Sequence, residues 1–382
     1  MSALPLFPVT TVGSWPRPLD LLRAQKLWRE GQIEEAQFQK AADDSVQEVV
    51  RRQEEAGVDI VTDGEQRRDN FVSFVATRLE GTRLMTLLEM LDLIENKLGF
   101  ERLLQTLDVP AYSISNATCV GRIARRGSLA ADEARFLKRV TSKPIKIALP
   151  GPYLLTRSMW VKEASAAAYS SKEELGSDVV RVLREEISEL LQLGVSFIQL
   201  DEPVLTELVF TQGQTRTFMC AALSARKDPA EELEFAVHLL SSVLEGFNGA
   251  RFGLHVCRGN WSRNESTLLS GSYNALAATL NRIPVRQLVL EYSTERAGAC
   301  MRFNPPELGL GVINPRTDTI DLPDDIIRRV DRALAFYPPA AIFLNPDCGF
   351  STFSNRPMAN ENIASAKLRS LVTAAHKLRG SH

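Results

Sequence analysis

Short, almost unbroken apolar runs recur along this chain, and longer stretches between them return an apolar residue every three or four positions. The short runs are FPVTTVG (7–13), VDIVT (58–62), IKIAL (145–149), VSFIQL (195–200), FGLHV (252–256), QLVLE (287–291), LGLGVI (308–313) and AIFLN (341–345). Runs of this length without polar alternation mark strands buried on both faces, as in a parallel sheet. The longer stretches read as amphipathic helices. In SKEELGSDVVRVLREEISELLQLG (171–194), Val179, Leu183, Ile187, Leu190 and Leu191 form one stripe. A Ser/Glu capping box opens this helix and Gly194 stops it. EEAQFQKAADDSVQEVVRRQEEAG (34–57) ends at Gly57, directly before the second apolar run. DLPDDIIRRVDRALAFYPP (321–339) starts with a cap and has Pro323 in its first turn.

Eight apolar runs alternating with helices predict an α/β protein, a (β/α)₈ TIM barrel forming a single domain over residues 1–382. The rival is an open doubly wound sheet, but no G-x-G-x-x-G follows a strand. Residues 81–142 interrupt the alternation and read as an insertion. They comprise a leucine-rich helical part (83–107) and AYSISNATCVGRIARRG (111–127), which alternates like an antiparallel hairpin.

Composition narrows the function classes. The 382 residues are 44% hydrophobic and 24% charged, with a formal net charge of -2. That balance gives no reason to expect nucleic acid or an anionic membrane as partner. No run reaches the roughly 18 apolar residues of a membrane helix, and the N-terminus lacks the pattern of a secretory signal. Cys119, Cys220, Cys257, Cys300 and Cys348 are odd in number and scattered, which predicts free thiols and a reducing, cytoplasmic setting. Homo-oligomerisation is left open by the sequence.

The chemistry of such barrels sits where each strand gives way to the next loop. Read in order, those positions carry Gly13-Ser14-Trp15, Asp63-Gly64-Glu65, Pro150-Gly151-Pro152, Asp201-Glu202-Pro203, His255 with Cys257, Glu291, Asn314, and Asp347-Cys348. His255 and Cys257 are two apart, so in an extended segment they share a side. With Glu291 and Cys348 they form a donor set of the kind that binds Zn²⁺ tetrahedrally. The alternative reading of His255 and Cys257 is a buried histidine and a buried cysteine of the core. Cys119, Cys220 and Cys300 read as structural.

TTVGSWPRP, VTDGEQRRDNF, LPGPYLLT, QLDEPVL, LHVCRGNW, VLEYS and FLNPDCGFSTF occur in this order between about residues 9 and 376. Together they resemble the catalytic half of cobalamin-independent methionine synthase, in its short single-barrel form. The resemblance implies a zinc ion on His255, Cys257, Glu291 and Cys348 that binds the thiol of homocysteine and holds it as a thiolate. It implies a homocysteine pocket of Ser14 with the Gly13–Ser14 amides for the carboxylate, and Glu65 and Asp201 for the ammonium. Asp69 and Asn70 follow the G-E pair as they do in the family. Trp160 matches an aromatic that stacks on a folate donor, and Glu207 an acidic residue beyond D-E-P.

The chain departs from the long enzymes in two ways. Their histidine after the seventh strand is absent from GVINPRTDTID, where Asn314, Arg316 and Asp318 stand instead, and their duplicated N-terminal half is missing. Both departures leave the methyl donor open between a folate, a methylated corrinoid protein and a small methylated compound. Three other functions remain in view: a thiol alkyltransferase such as epoxyalkane coenzyme M transferase, a barrel with a merely structural metal, and a tetrapyrrole decarboxylase. A sulfonate thiol would want cations where Glu65 and Asp201 stand. A decarboxylase of that kind would want clustered arginines at the mouth and no zinc set.

Overall fold

The computed structural model describes residues 4–86, 89, 115–210 and 228–382. Its centre is a parallel sheet of six strands. The strands are β3 (Lys146–Pro150), β4 (Phe197–Asp201), β5 (Arg251–Val256), β6 (Gln287–Glu291), β7 (Glu307–Ile313) and β8 (Ile342–Pro346), each beside its sequence neighbour. Two further strands, β1 (Leu79–Thr86) and β2 (Ser115–Arg125), lie outside this sheet. Strands β3, β4, β6, β7 and β8 are buried at every residue, and β5 at all but Arg251. Burial on both faces is what the continuous apolar runs predict, because helices cover a parallel sheet.

The register aligns the chemistry. Pro150 pairs with Asp201, and Asp201 with His255. The C-terminal ends of neighbouring strands therefore come level at one edge of the sheet.

The first two apolar runs make only single parallel bridges: Val9 to Leu344, Thr10 to Ile60, and Val61 to Ile145. Local chemistry shortens them. Pro8 has no N–H to give, and the Val9 N–H goes to the Asp59 carboxylate at 2.8 Å instead of a neighbouring strand. Backbone hydrogen bonds still run from Thr10 to Leu344 at 3.0 Å and from Lys146 to Val61 at 2.9 Å.

The helices follow the sequence signals with small shifts. Helix Lys172–Gln192 is capped by Ser171, which accepts from the Glu174 N–H at 3.2 Å, and Gly194 has φ +73°. Helix Glu35–Ala56 ends at Gly57 in the left-handed region. The stretch expected as a capped helix over 321–339 is shorter, Pro323–Leu334, and Leu322 at its N-cap makes no side-chain cap. Asp321 instead pairs with Arg329 at 2.6 Å.

The hairpin expected within 111–127 is corrected: its described residues form one strand, Ser115–Arg125, whose antiparallel partner lies at Leu79–Thr86. β1 and β2 pair antiparallel, with a register shift between Glu80 and Thr82, and helix Ala131–Val140 follows. The expectation of helix from residue 83 is overturned for its first residues, since Arg83–Thr86 belong to β1. Most of the remaining leucine-rich stretch, and Cys220, lie outside the described residues. Among the described residues, no helix is long and apolar enough to cross a membrane.

Candidate metal centre and adjoining cleft

His255 stands within β5, Cys257 just past its end, and Cys348 two residues beyond β8. The fold brings one donor atom from each to within 4.8 Å of the others. All three are buried. The His255 Nδ1 lies 3.2 Å from the Val289 carbonyl, which can only accept, so Nδ1 carries the proton. In the neutral ring that leaves Nε2 the lone-pair donor, and it is buried without a hydrogen-bond partner. An orphaned imidazole nitrogen beside two thiols is a set that suits a soft divalent cation such as zinc.

The two thiols share a hydrogen bond. The hydrogen bond from Cys348, followed by the His255 interaction, holds Cys257 down at about 5 despite burial. The same bond and burial push Cys348 well above its ordinary value. Burial pulls the His255 ring down, but the Cys257 sulfur and the Asp201 and Glu291 charges outweigh it and lift the ring to about 9. Protons held by such a group are what a metal ion displaces on binding.

Glu291 ends β6, level with this group, but its carboxylate stands outside the trio. It faces Arg296 at 3.4 Å, Arg316 at 3.5 Å and Arg258 at 3.7 Å. Burial raises the Glu291 carboxyl, and these guanidinium groups outweigh it, keeping the group below the usual range. Arg316 also reaches Asp347 at 3.2 Å, and Asp347 accepts the Tyr292 and Ser293 N–H groups. Sequence reasoning named Arg316 only as a loop occupant and passed over Arg258 and Arg296. Arg258 directly follows Cys257 in LHVCRGNW, which was the available signal.

A cleft opens beside the trio and is lined by Ser14, Glu65, Asn70 and Asp201 together with His255, Cys257 and Cys348. Val12, Phe71, Val72, Pro203, Trp261 and Phe353 give it apolar walls. Glu65 has φ +54°, a conformation rare outside glycine. Three contacts hold it there. Its N–H donates to Asp63 Oδ1 at 3.0 Å, and its carbonyl accepts from Arg17 at 2.7 Å and from the Arg68 N–H at 3.0 Å. The result aims its carboxylate past Gly13, and Oε2 is buried with no partner. Burial raises Glu65 to about 7, against the Arg68 and Arg17 charges, and raises Asp201 to about 6, against His255 and Gln199. Ser14 packs against Gly349, where an added β-carbon would come within 2.0 Å of its Oγ.

Other predicted residues sit elsewhere. Half-buried Trp160 packs against the core, and Glu207 forms a buried ion pair with Arg157 at 2.9 Å; neither lines the cleft as described. Asp69 pairs with Arg29 at 3.4 Å and accepts from Ser73 at 2.6 Å, while Asn70 reaches the cleft. Asn314 donates to Glu265 at 2.6 Å, and Asp318 pairs with Arg263 at 2.9 Å. Cys119 is buried and Cys300 half-buried, and neither joins the trio.

Residues 7–377 match the family described as the catalytic domain of cobalamin-independent synthase. A methionine synthase of Saccharolobus solfataricus is 28% identical over 99% of this chain and 97% of its own length. One from Thermococcus kodakarensis is 27% identical over 98% of this chain and 94% of that protein. Among solved structures, a B12-independent methionine synthase from Shewanella sp. W3-18-1, in complex with selenomethionine, superposes with TM-score 0.71 at 24% identity, covering 98% of both chains. A putative B12-independent methionine synthase from Listeria monocytogenes gives TM-score 0.67 at 18% identity over 99% of both chains.

Proposed function

This chain belongs to the cobalamin-independent synthase family, catalytic-domain type, and on that premise we propose that its cleft binds homocysteine against a zinc ion. It is a methyltransferase: it moves a methyl group to the homocysteine sulfur and forms methionine. His255, Cys257 and Cys348 would hold the zinc, with Glu291 as a further ligand once it leaves its guanidinium partners. Bound there, zinc supplies the acidity that keeps a thiol ionised near neutral pH, where a free one is mostly protonated.

The chain's own residues do the rest. Glu65 and Asp201 accept the α-ammonium group, while Ser14 and the Gly13–Ser14 amides receive the α-carboxylate. The apolar walls exclude water, so each of these interactions acts in a low-dielectric space. The sulfur then attacks the methyl carbon, forming the S–C bond as the donor's bond to that carbon breaks. The carrying observation is the unpartnered His255 Nε2 beside two cysteines, in one cleft with two buried carboxylates. A purely structural site would close around its metal, whereas this trio borders an open cleft. Carboxylates in place of cations argue against a sulfonate thiol.

We also read the fold as a closed (β/α)₈ barrel. The bridges from Val9 to Leu344, Thr10 to Ile60 and Val61 to Ile145 support this, because they link β8 to β3 through the first two apolar runs. Trp160 and Glu207 would serve the methyl donor only from outside the described cleft. The test of function is a panel of methyl donors (a methylfolate, a methylcorrinoid protein, small methylated compounds) incubated with zinc-loaded protein and homocysteine, with methionine as the readout. Methionine from one donor supports the reading; none from any donor, with zinc bound, overturns it.

A further inference from the structure

Beneath the cleft, Lys146 is a buried lysine that no part of the proposed chemistry uses. It stands at the first residue of β3. Its Nζ donates to the Thr11 carbonyl and to Gln199 Oε1, the latter at 3.2 Å. Gln199 in turn donates through Nε2 to Asp201 Oδ1 at 2.7 Å and to the Val12 carbonyl at 3.2 Å.

The polarity of this chain is fixed by its ends. An ionised carboxylate can only accept, so Gln199 must turn its N–H₂ toward Asp201 and its oxygen toward Lys146. Lys146 then has to donate, which it does. With the lysine gone, Gln199 Oε1 and the Thr11 carbonyl lose their buried donor, and the amide is held only through its N–H₂ by Asp201 and Val12. An unsatisfied buried oxygen is costly, so the amide shifts to find another donor and loosens its grip on the Asp201 carboxylate that the ammonium needs. The contacts to Thr11 and Val12 tie the same relay to the segment that leads into Gly13 and Ser14. Lys146 therefore sits where both halves of the amino-acid site meet.

We propose that Lys146 is a positioning residue for the amino-acid end of the substrate: acting through Gln199, it fixes the Asp201 carboxylate as an acceptor and, through the Thr11 carbonyl, anchors the segment that leads to Ser14. The proposal rests on the amino-acid pocket described above. The charges facing Lys146 are Asp201 and Glu65; burial lowers its pKa to about 7, against these two charges. Asp201 is faced in turn by His255 and Cys257, and Glu65 by Arg17, Arg68 and Asp63. Lys146 touches no metal-ligand candidate.

The experiment measures binding of methionine and of desaminomethionine, which lacks only the amino group, to zinc-loaded protein. The variants are Lys146→Met, Gln199→Met and the double variant, with zinc content and melting temperature recorded for each. The expected result is a methionine Kd raised about tenfold in either single variant, with desaminomethionine changed less than about twofold. The double variant should be no worse than the worse single one, because the two act in one chain. If Lys146→Met fails to fold, Gln199→Met carries the same comparison. Equal losses for both ligands, or no loss, overturn the relay. Failure of the wild-type protein to prefer methionine over desaminomethionine overturns instead the pocket reading, and the relay with it.

Discussion

Gly13 and Glu65 approach so closely that a β-carbon on residue 13 would lie 2.3 Å from Glu65 Oε1. Gly13 ends the first apolar run and Glu65 lies just past the second, and the contact places a strained glutamate at the cleft. Gly13→Ala would push that carboxylate aside. The expected outcome is a KM for homocysteine raised at least about tenfold with the melting temperature nearly unchanged, since the carboxylate can give way without disturbing the core. Steady-state kinetics and a thermal melt check it, and an unchanged KM would count against Glu65 as a substrate contact.

Metal binding follows the trio. Wild-type protein should carry about one zinc per chain, and His255→Ala, Cys257→Ser and Cys348→Ser should each lose most of it. Glu291→Gln should retain the metal with weakened affinity, because its carboxylate stands apart from the three donors. Elemental analysis and competition with a chelator measure both. Full zinc in the two serine variants would remove the site.

The acid limb of substrate binding should report Glu65. Burial raises its pKa to about 7, so the carboxylate protonates as pH falls through that value and ceases to pair with an ammonium. The KM for homocysteine should therefore rise below about pH 7, while desaminohomocysteine, lacking the amine, should not show that rise. Glu65→Gln should give a weak KM already at high pH, with this limb flattened. A limb of equal size for both thiols would place the titrating group elsewhere.

Glu207 offers a stability prediction. It pairs with Arg157 at 2.9 Å, and the two side chains are 1% and 2% exposed. Removing one partner of a buried ion pair typically costs about 3 kcal/mol or more. Glu207→Ala should lower the denaturation midpoint accordingly, and Arg157→Met combined with it should recover part of the loss. A large drop in rate with unchanged stability would instead point to a role with the methyl donor.

Much of this protein was legible in its sequence. The six central strands lie within about two residues of the apolar runs that announce them, because burial on both faces makes most of their residues apolar. Helix ends at Gly57 and Gly194 were legible for an equally local reason, the left-handed backbone that glycine tolerates. H-x-C at the end of a strand put two potential metal donors on one side, since alternation in an extended segment is a property of the chain alone.

What the tertiary structure decided is which remote groups meet. Only packing reveals that Glu291 faces three guanidinium groups. Only packing pairs Glu207 with Arg157 and sets Lys146 under Asp201. The first two runs make only single bridges, and side chains take backbone N–H groups that apolar patterning assigns to the sheet: Asp59 that of Val9, and Gln53 that of Thr62. Periodicity is dictated by each residue's own burial, whereas the partner of a buried charge depends on segments far away in sequence. The sequence alone therefore determined the layers and the donor types; distance and desolvation, set by the folded chain, decided their partners.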